Sequence, residues 1–435
     1  MRTKIRNTFL GLAAIITLLL LCFIAFYTIT LRKANHVPIP NNAVWMMKIN
    51  GVNAIKNLWE NALEWNAPSD SAKHTTHGMS MPLHFYIYNT KNCPNTFFTS
   101  VILNDEHLVH TNLTRKSAWK LVDSLNHLYV NESQNIALTF NRSYATVAWN
   151  FKQQGALDEL IAISKQTNTT KYSDTKFSDV LTEDHLIIIT NLKSNFYLNF
   201  EKGFIDIGGE WYGQNIANFS PKIETNEQVI VQLFNAVAIK DDKILQSIFG
   251  TEAFSTIKTQ IISANYCLDI NICEPNIMFE KEVRTYEFDE NFEKKEVIVN
   301  ETVQMPKVSI LWKTAQNDTL SITSTKPELL NDSIFPLFPM YAYPVQGSYI
   351  LWSNSTTETN HTQVKADYCL KVKVNIAKAK QNEYFSAVQQ YLTPFESFEL
   401  TGTKTDNFIT LKGKMLLVDK ETNSLQAIRN WWNAL

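Results

Sequence analysis

Three histidines stand close together in His74-Thr-Thr-His77-Gly-Met79-Ser-Met81-Pro82-Leu-His84. Imidazole nitrogen and thioether sulfur are donors that soft and borderline ions such as copper accept, so His74, His77 and His84 are the candidate metal ligands. The competing reading is an ordinary loop entering a sheet. Pro82 leads into the alternation of a strand, and no adjacent carboxylate is there to orient the rings. His107 and His110, beside Asp105 and Glu106, read as exposed loop residues.

Four cysteines follow the N-terminal apolar run: Cys93, Cys267, Cys273 and Cys369. An even number permits disulfides in an oxidising compartment. Cys267 and Cys273 flank Leu-Asp-Ile-Asn-Ile and are the expected pair, with buried thiols as the alternative. A zinc site would want Cys-x-x-Cys or a nearby histidine pair, and neither accompanies them. Nucleophile motifs are missing: there is no Gly-x-Ser-x-Gly elbow and no His-Glu-x-x-His. Gly208-Gly209 is not followed by Lys-Ser/Thr and reads as strand and bulge. Asp241-Asp242 reads as a helix start, where carboxylates meet the favourable end of the dipole. No catalytic residue and no cofactor is therefore assigned.

The elements that would carry such groups begin with a membrane anchor. No residue from Thr8 to Leu31 is charged, and about 20 apolar residues suffice to cross a bilayer as a helix. Arg2, Lys4 and Arg6 precede the run and Arg32 and Lys33 follow it, which favours a cytoplasmic N-terminus. A cleaved signal would want a shorter run ending in small residues, and here the end reads Tyr27-Thr-Ile-Thr-Leu31. A lipoprotein signal would want a small residue before Cys22, where Leu21 stands.

The expected organisation is a cytoplasmic tail 1–7, a transmembrane helix 8–31, a linker 32–38 and two α+β halves, 39–225 and 226–435. After the anchor the chain is too long for one ordinary core, which rarely exceeds about 250–300 residues. The net charge of −2 provides no field for nucleic acid, so no nucleic-acid partner is expected. A phrase recurs: an apolar strand, an asparagine, then a helical spacing. It occurs at Ala43–Asn50, Val229–Asn235 and Leu370–Asn375, and in shorter form at Leu186–Asn191. Asparagine suits such junctions because its side chain caps free helix N–H groups. The fold class expected is α+β: a transmembrane helix, then an internally duplicated ectodomain of antiparallel sheets with packed helices.

Strands are expected at Leu83–Tyr88, Phe97–Leu103, Ile136–Phe140, Ala145–Trp149, Val308–Trp312, Thr319–Thr323 and Tyr349–Trp352. Phe398–Thr403 and Phe408–Leu417 read as a hairpin closed by a helix from Ser424 to Trp432. Residues 279–299 are dense in charge and read as a ribbon turning at Asp289-Glu290-Asn291, with little apolar face to bury. That ribbon is either a solvated edge that blocks sheet aggregation or a partner-binding arm. Trp431-Trp432 offers a second candidate contact, against the reading that at least one is core.

Ile39-Pro-Asn-Asn-Ala43, Gly78-Met-Ser-Met-Pro-Leu-His-Phe-Tyr86 and the closing hairpin with Asn423-Ser-Leu-Gln-Ala-Ile resemble extracytoplasmic, membrane-anchored proteins of unknown function from Bacteroidota envelopes. Members of that group often begin with a lipoprotein signal or one membrane helix and continue in repeated α+β units. The resemblance implies a periplasmic or surface location, with the bacterial inner membrane as the anchor's place. It implies no activity, and Leu21-Cys22 departs from a lipidation site. Four Asp-Ser/Thr-apolar tripeptides, among them Asp123-Ser124-Leu125, resemble the group's O-glycosylation acceptors.

Three functions fit these residues. The leading expectation is a non-enzymatic envelope protein that scaffolds or stabilises an assembly with another envelope protein. The alternatives are a ligand- or lipid-binding periplasmic domain, and a hydrolase whose site is assembled from distant residues.

Overall fold

The computed structural model of the chain describes residues 36–54, 79, 83–116, 118–191, 193–212, 221–224, 228–237, 268–288, 292–313, 328–329, 339–345, 349–356, 362–365, 367–405 and 407–434. The segment 8–31, His74, His77, Asp241-Asp242, Cys267, Asp289-Glu290-Asn291 and the strand expected at Thr319–Thr323 lie outside them. Among the described residues no helix is long and apolar enough to cross a membrane. Antiparallel strand predominates among the described residues, at 54%, with few helices. The chain divides into two compact units, Met1–Phe200 and Glu201–Leu435.

The strands of the first unit are β1 (Ile39–Pro40), β2 (Ala43–Asn50), β3 (His84–Thr90), β4 (Phe97–Ile102), β5 (Lys120–Asp123), β6 (Leu128–Asn131), β7 (Ile136–Phe140), β8 (Tyr144–Trp149), β9 (Thr169–Thr170), β10 (Ile187–Thr190) and β11 (Ser194–Glu201). Apart from the short β1–β9 pair, they join in the order β11-β10-β2-β3-β4-β8-β7-β6-β5. Both faces of this sheet are covered, as the strand alternation requires. On one face Tyr86, Tyr88, Phe98 and Ala148 pack with Leu160 and Ile163 of helix α2 (Ala156–Ser164). On the other, Val101, Leu138 and Ala145 pack with Val109 and Leu113 of helix α1 (Glu106–Arg115).

Helix α1 corrects the loop expected around His107 and His110. Asp105 caps it, its carboxylate accepting the Leu108 N–H at 2.9 Å. Asn191 is also corrected. Its side chain accepts the Lys193 N–H at 3.0 Å within the β10–β11 hairpin, so a turn rather than a helix follows. Asn50, in contrast, caps as expected, accepting from Val52 and Asn53 at 3.1 and 3.2 Å as residues 51–54 begin a helix.

The second unit contains β12 (Phe204–Tyr212), β13 (Pro221–Glu224), β14 (Gln228–Asn235), β15 (Leu268–Phe288), β16 (Lys294–Lys313), β17 (Glu328–Leu329), β18 (Tyr341–Val345), β19 (Tyr349–Ser353), β20 (Thr362–Lys365), β21 (Leu370–Asn375), β22 (Phe395–Lys404) and β23 (Phe408–Leu417). Apart from the β13–β20 pair, the order is β12-β23-β22-β21-β14-β15-β16-β19-β18-β17. Strand β12 bonds along its whole length to β23, which places it in this unit and the division ahead of residue 226. From β22 to β17 the succession matches, strand for strand, that from β11 to β6 in the first unit.

Helix α3 (Ile376–Gln381) is capped by Asn375, which accepts the Lys378 N–H at 3.1 Å. The helical spacing through Tyr384 and Val388 becomes a 3-10 run, Glu383–Leu392, because Asn382 ends α3 and caps the next turn. Helix α4 (Ser424–Ala434) closes the chain as expected.

At the turn from β11 to β12 Gly203 has φ +76°, and a Cβ there would stand 2.7 Å from the Lys420 carbonyl oxygen. Gly203→Ala is therefore expected to destabilise the second unit by about 1–3 kcal/mol, since both the conformation and the space exclude a side chain. Urea denaturation of wild type and variant measures this, and equal midpoints would refute it.

Candidate functional site

Two places in the molecule hold side chains that burial alone does not explain. The first is a polar cluster on β2 and β3. Lys48 is 6% exposed and donates Nζ to the Leu181 carbonyl at 2.6 Å. The register sets Asn50 opposite His84. Asn50 Nδ2 and Asn53 Nδ2 donate to the Asp184 carboxylate at 3.0 and 2.9 Å. Burial lowers the Lys48 amine below the ordinary lysine range, against the pull of Asp184. Burial, with the Lys48 cation beside it, pushes the His84 imidazole from 6.5 down to about 4. His84 is thus neutral at pH 7, and its buried Nδ1 has no hydrogen-bond partner among the described residues. So low a pKa makes a poor general base at neutral pH, and a neighbouring ammonium opposes a bound cation.

Of the three candidate metal ligands, only His84 lies among the described residues, and it is buried in a strand. Among the described residues no three His, Cys, Asp or Glu gather as a metal centre. Cys93 and Cys369 are buried free thiols, the Cys369 thiol donating to the Gly402 carbonyl at 3.2 Å. Cys273 is buried on β15. A cleft of about 400 Å³ in the first unit is lined by Glu106, Asn126, His127, Phe140, Arg142 and Lys165. There His127 stacks on Phe140 at 5.0 Å with its Nε2 3.5 Å from Glu106.

The second place is the ribbon. Strands β15 and β16 run 21 and 20 residues, whereas β3 and β4, in the same places of the matching order, run 7 and 6. Pairing breaks between Cys273 and Ile277, and beyond that break, among the described residues, the two strands pair only with each other. The root is held by Lys378 to Glu274 at 3.3 Å and by Asn382 Nδ2 donating to Asn276 at 2.8 Å. Past it, Met278 (68%), Phe288 (68%) and Phe292 (86%) are solvent-exposed. Lys294 lies over the Tyr286 ring at 4.3 Å, and Arg284 pairs with Glu296 at 3.3 Å.

No family model, curated protein or solved structure matches the chain. What it does must be read from its own side chains.

The expectation that charge leaves the ribbon little apolar face is corrected by the register. Cross-strand pairs share a face, and one face carries Phe279 with Val303, Val283 with Val299, and Thr285 with Val297. The other carries Met278, Tyr286, Phe288 and Ile298. The signal was present in the sequence as a period of two within a charged run. Lys48 and Asp184 carried no such signal, since they meet only through strand pairing and a distant loop. Of the two tryptophans, Trp431 packs edge-on to Phe395 at 5.8 Å, while Trp432 is 71% exposed.

Proposed function

We propose that this chain is a single-pass membrane protein, N-terminus cytoplasmic, whose periplasmic ectodomain is a non-enzymatic docking module for an envelope assembly. Its ectodomain is a duplication of one antiparallel α+β unit, a reading supported by the matching strand orders. The anchor rests on the uncharged run from Thr8 to Leu31.

The observation that carries the docking reading is the ribbon. It lengthens one hairpin well beyond its counterpart and leaves Met278, Tyr286, Phe288 and Phe292 in water. Fold stability gains little from exposed apolar groups, whereas aromatic side chains dominate protein interfaces. The cleft beside His127 supports the ligand-binding alternative less well, because charged groups line it and such pockets are mostly apolar.

Cross-linking with mass spectrometry on the protein extracted from its own membrane in mild detergent tests the proposal. Reproducible links from residues 279–299 to another protein chain are expected. Alanine at Tyr286, Phe288 and Phe292 together is expected to reduce them about tenfold or more, the loss of a modest interface hot spot. A ribbon without intermolecular links, or links indifferent to the three alanines, would overturn it.

A further inference from the structure

We infer that the partner of the ribbon's valine-bearing face is a second copy of this chain. The inference rests on the reading of the ribbon as a docking arm and concerns the face opposite Met278, Tyr286 and Phe288. The described rows of that face, from root to tip, are Phe279 with Val303, Val283 with Val299, Thr285 with Val297, and Glu287 with Lys295. Every row is either largely apolar on both strands or oppositely charged.

This pattern has a geometric consequence. Consider two ribbons packed face to face about a twofold axis running along their length. Each residue then lies over the other copy's cross-strand neighbour. Complementarity across one ribbon becomes complementarity between copies: Val283 meets Val299, and Glu287 meets Lys295. A symmetric interface needs this kind of self-match, and the charged row fixes its register.

The opposite face lacks the property. Its rows set Met278 against Gln304, Arg284 against Ile298 and Tyr286 against Glu296, so the same axis would place unlike groups together. Val299 is 44% exposed, Thr285, Glu287 and Lys295 are also exposed, and Phe279, Val283, Val297 and Val303 are half-buried, so the face is most open toward the tip. Eight described residues from each copy form these rows, against about 20–30 a side in a standard interface. The pairing is therefore weak for free molecules and strengthened when both are held in one membrane, which raises their effective concentration.

Two differently tagged full-length chains, one carrying T285C and the other V297C, would be co-expressed in the native membrane and oxidised in place. A disulfide between the tags is expected, and none from Y286C with E296C on the opposite face. In vesicles reconstituted with the full chain, E287K is expected to lower the dimer fraction about tenfold, and E287K/K295E to restore it to within about twofold. The double exchange keeps both charges in the ribbon, so its recovery separates lost contact from lost folding. Failure of the T285C–V297C link, or of restoration by the exchange, overturns the inference. Ribbon links to a different protein without self-pairing would overturn it while leaving the docking reading intact; a ribbon linked to nothing overturns both.

Discussion

Acidification from pH 6.5 to 4 is expected to remove about 3 kcal/mol of stability from the first unit through His84 alone. Its imidazole titrates at 6.5 when unhindered and about 4 in the fold. Between those values the unfolded chain binds the proton and the folded one does not, so falling pH favours unfolding. Above 6.5 both states are neutral and the contribution vanishes; below 4 the penalty is complete. At about 1.4 kcal/mol per pKa unit the separation converts to the figure given. Carboxylates also respond in this range, so the measurement is a difference. Urea midpoints of wild type and His84→Gln, taken from pH 7 to 4, should diverge progressively, the wild type losing more. Parallel curves would show that His84 is not held neutral.

The second large effect contrasts two phenylalanines. Phe98 on β4 is fully buried, 6.3 Å from the Tyr88 ring and in the cluster that α2 covers. Phe98→Ala removes that packing and leaves a cavity, at a cost of about 3–5 kcal/mol. Phe288 is 68% exposed on the ribbon, and Phe288→Ala should stay within about 0.5 kcal/mol of wild type, as surface substitutions do. Thermal or urea denaturation compares them directly. A destabilisation of Phe288→Ala matching that of Phe98→Ala would mean that the ribbon's aromatics serve the fold, and would remove their claim to a partner.

Local pattern made much of this architecture legible. Ile136–Phe140 carries its strand as a short apolar run between turn residues, and the hairpin of β22 and β23 follows from two alternating runs about a short polar turn. The strand-asparagine-helix phrase pointed to repetition because capping is a local event. Where partners lie far apart in sequence, the reading failed. The turn after Asn191 forms because β11 follows at once and pairs with β10, and β12 joins the second unit through β23, about two hundred residues onward. Lys48 sits within an apolar strand, yet only the Leu181 carbonyl and the Asp184 loop explain its burial. For the ribbon, the alternation within each strand was visible, and which residues of the two strands meet on one face was not, because that depends on register across the turn.

The break in pairing between Cys273 and Ile277 separates two mechanical elements within one hairpin. On the inner side the backbone amides belong to a ladder with neighbours on both flanks, so they open only when the sheet does. On the outer side each strand has a single neighbour among the described residues, and rungs can part without disturbing the sheet beneath. The arm can thus bend, exchange its amide protons or suffer a cut while the unit that carries it remains folded. A protein built this way can yield at its point of contact and keep its core intact.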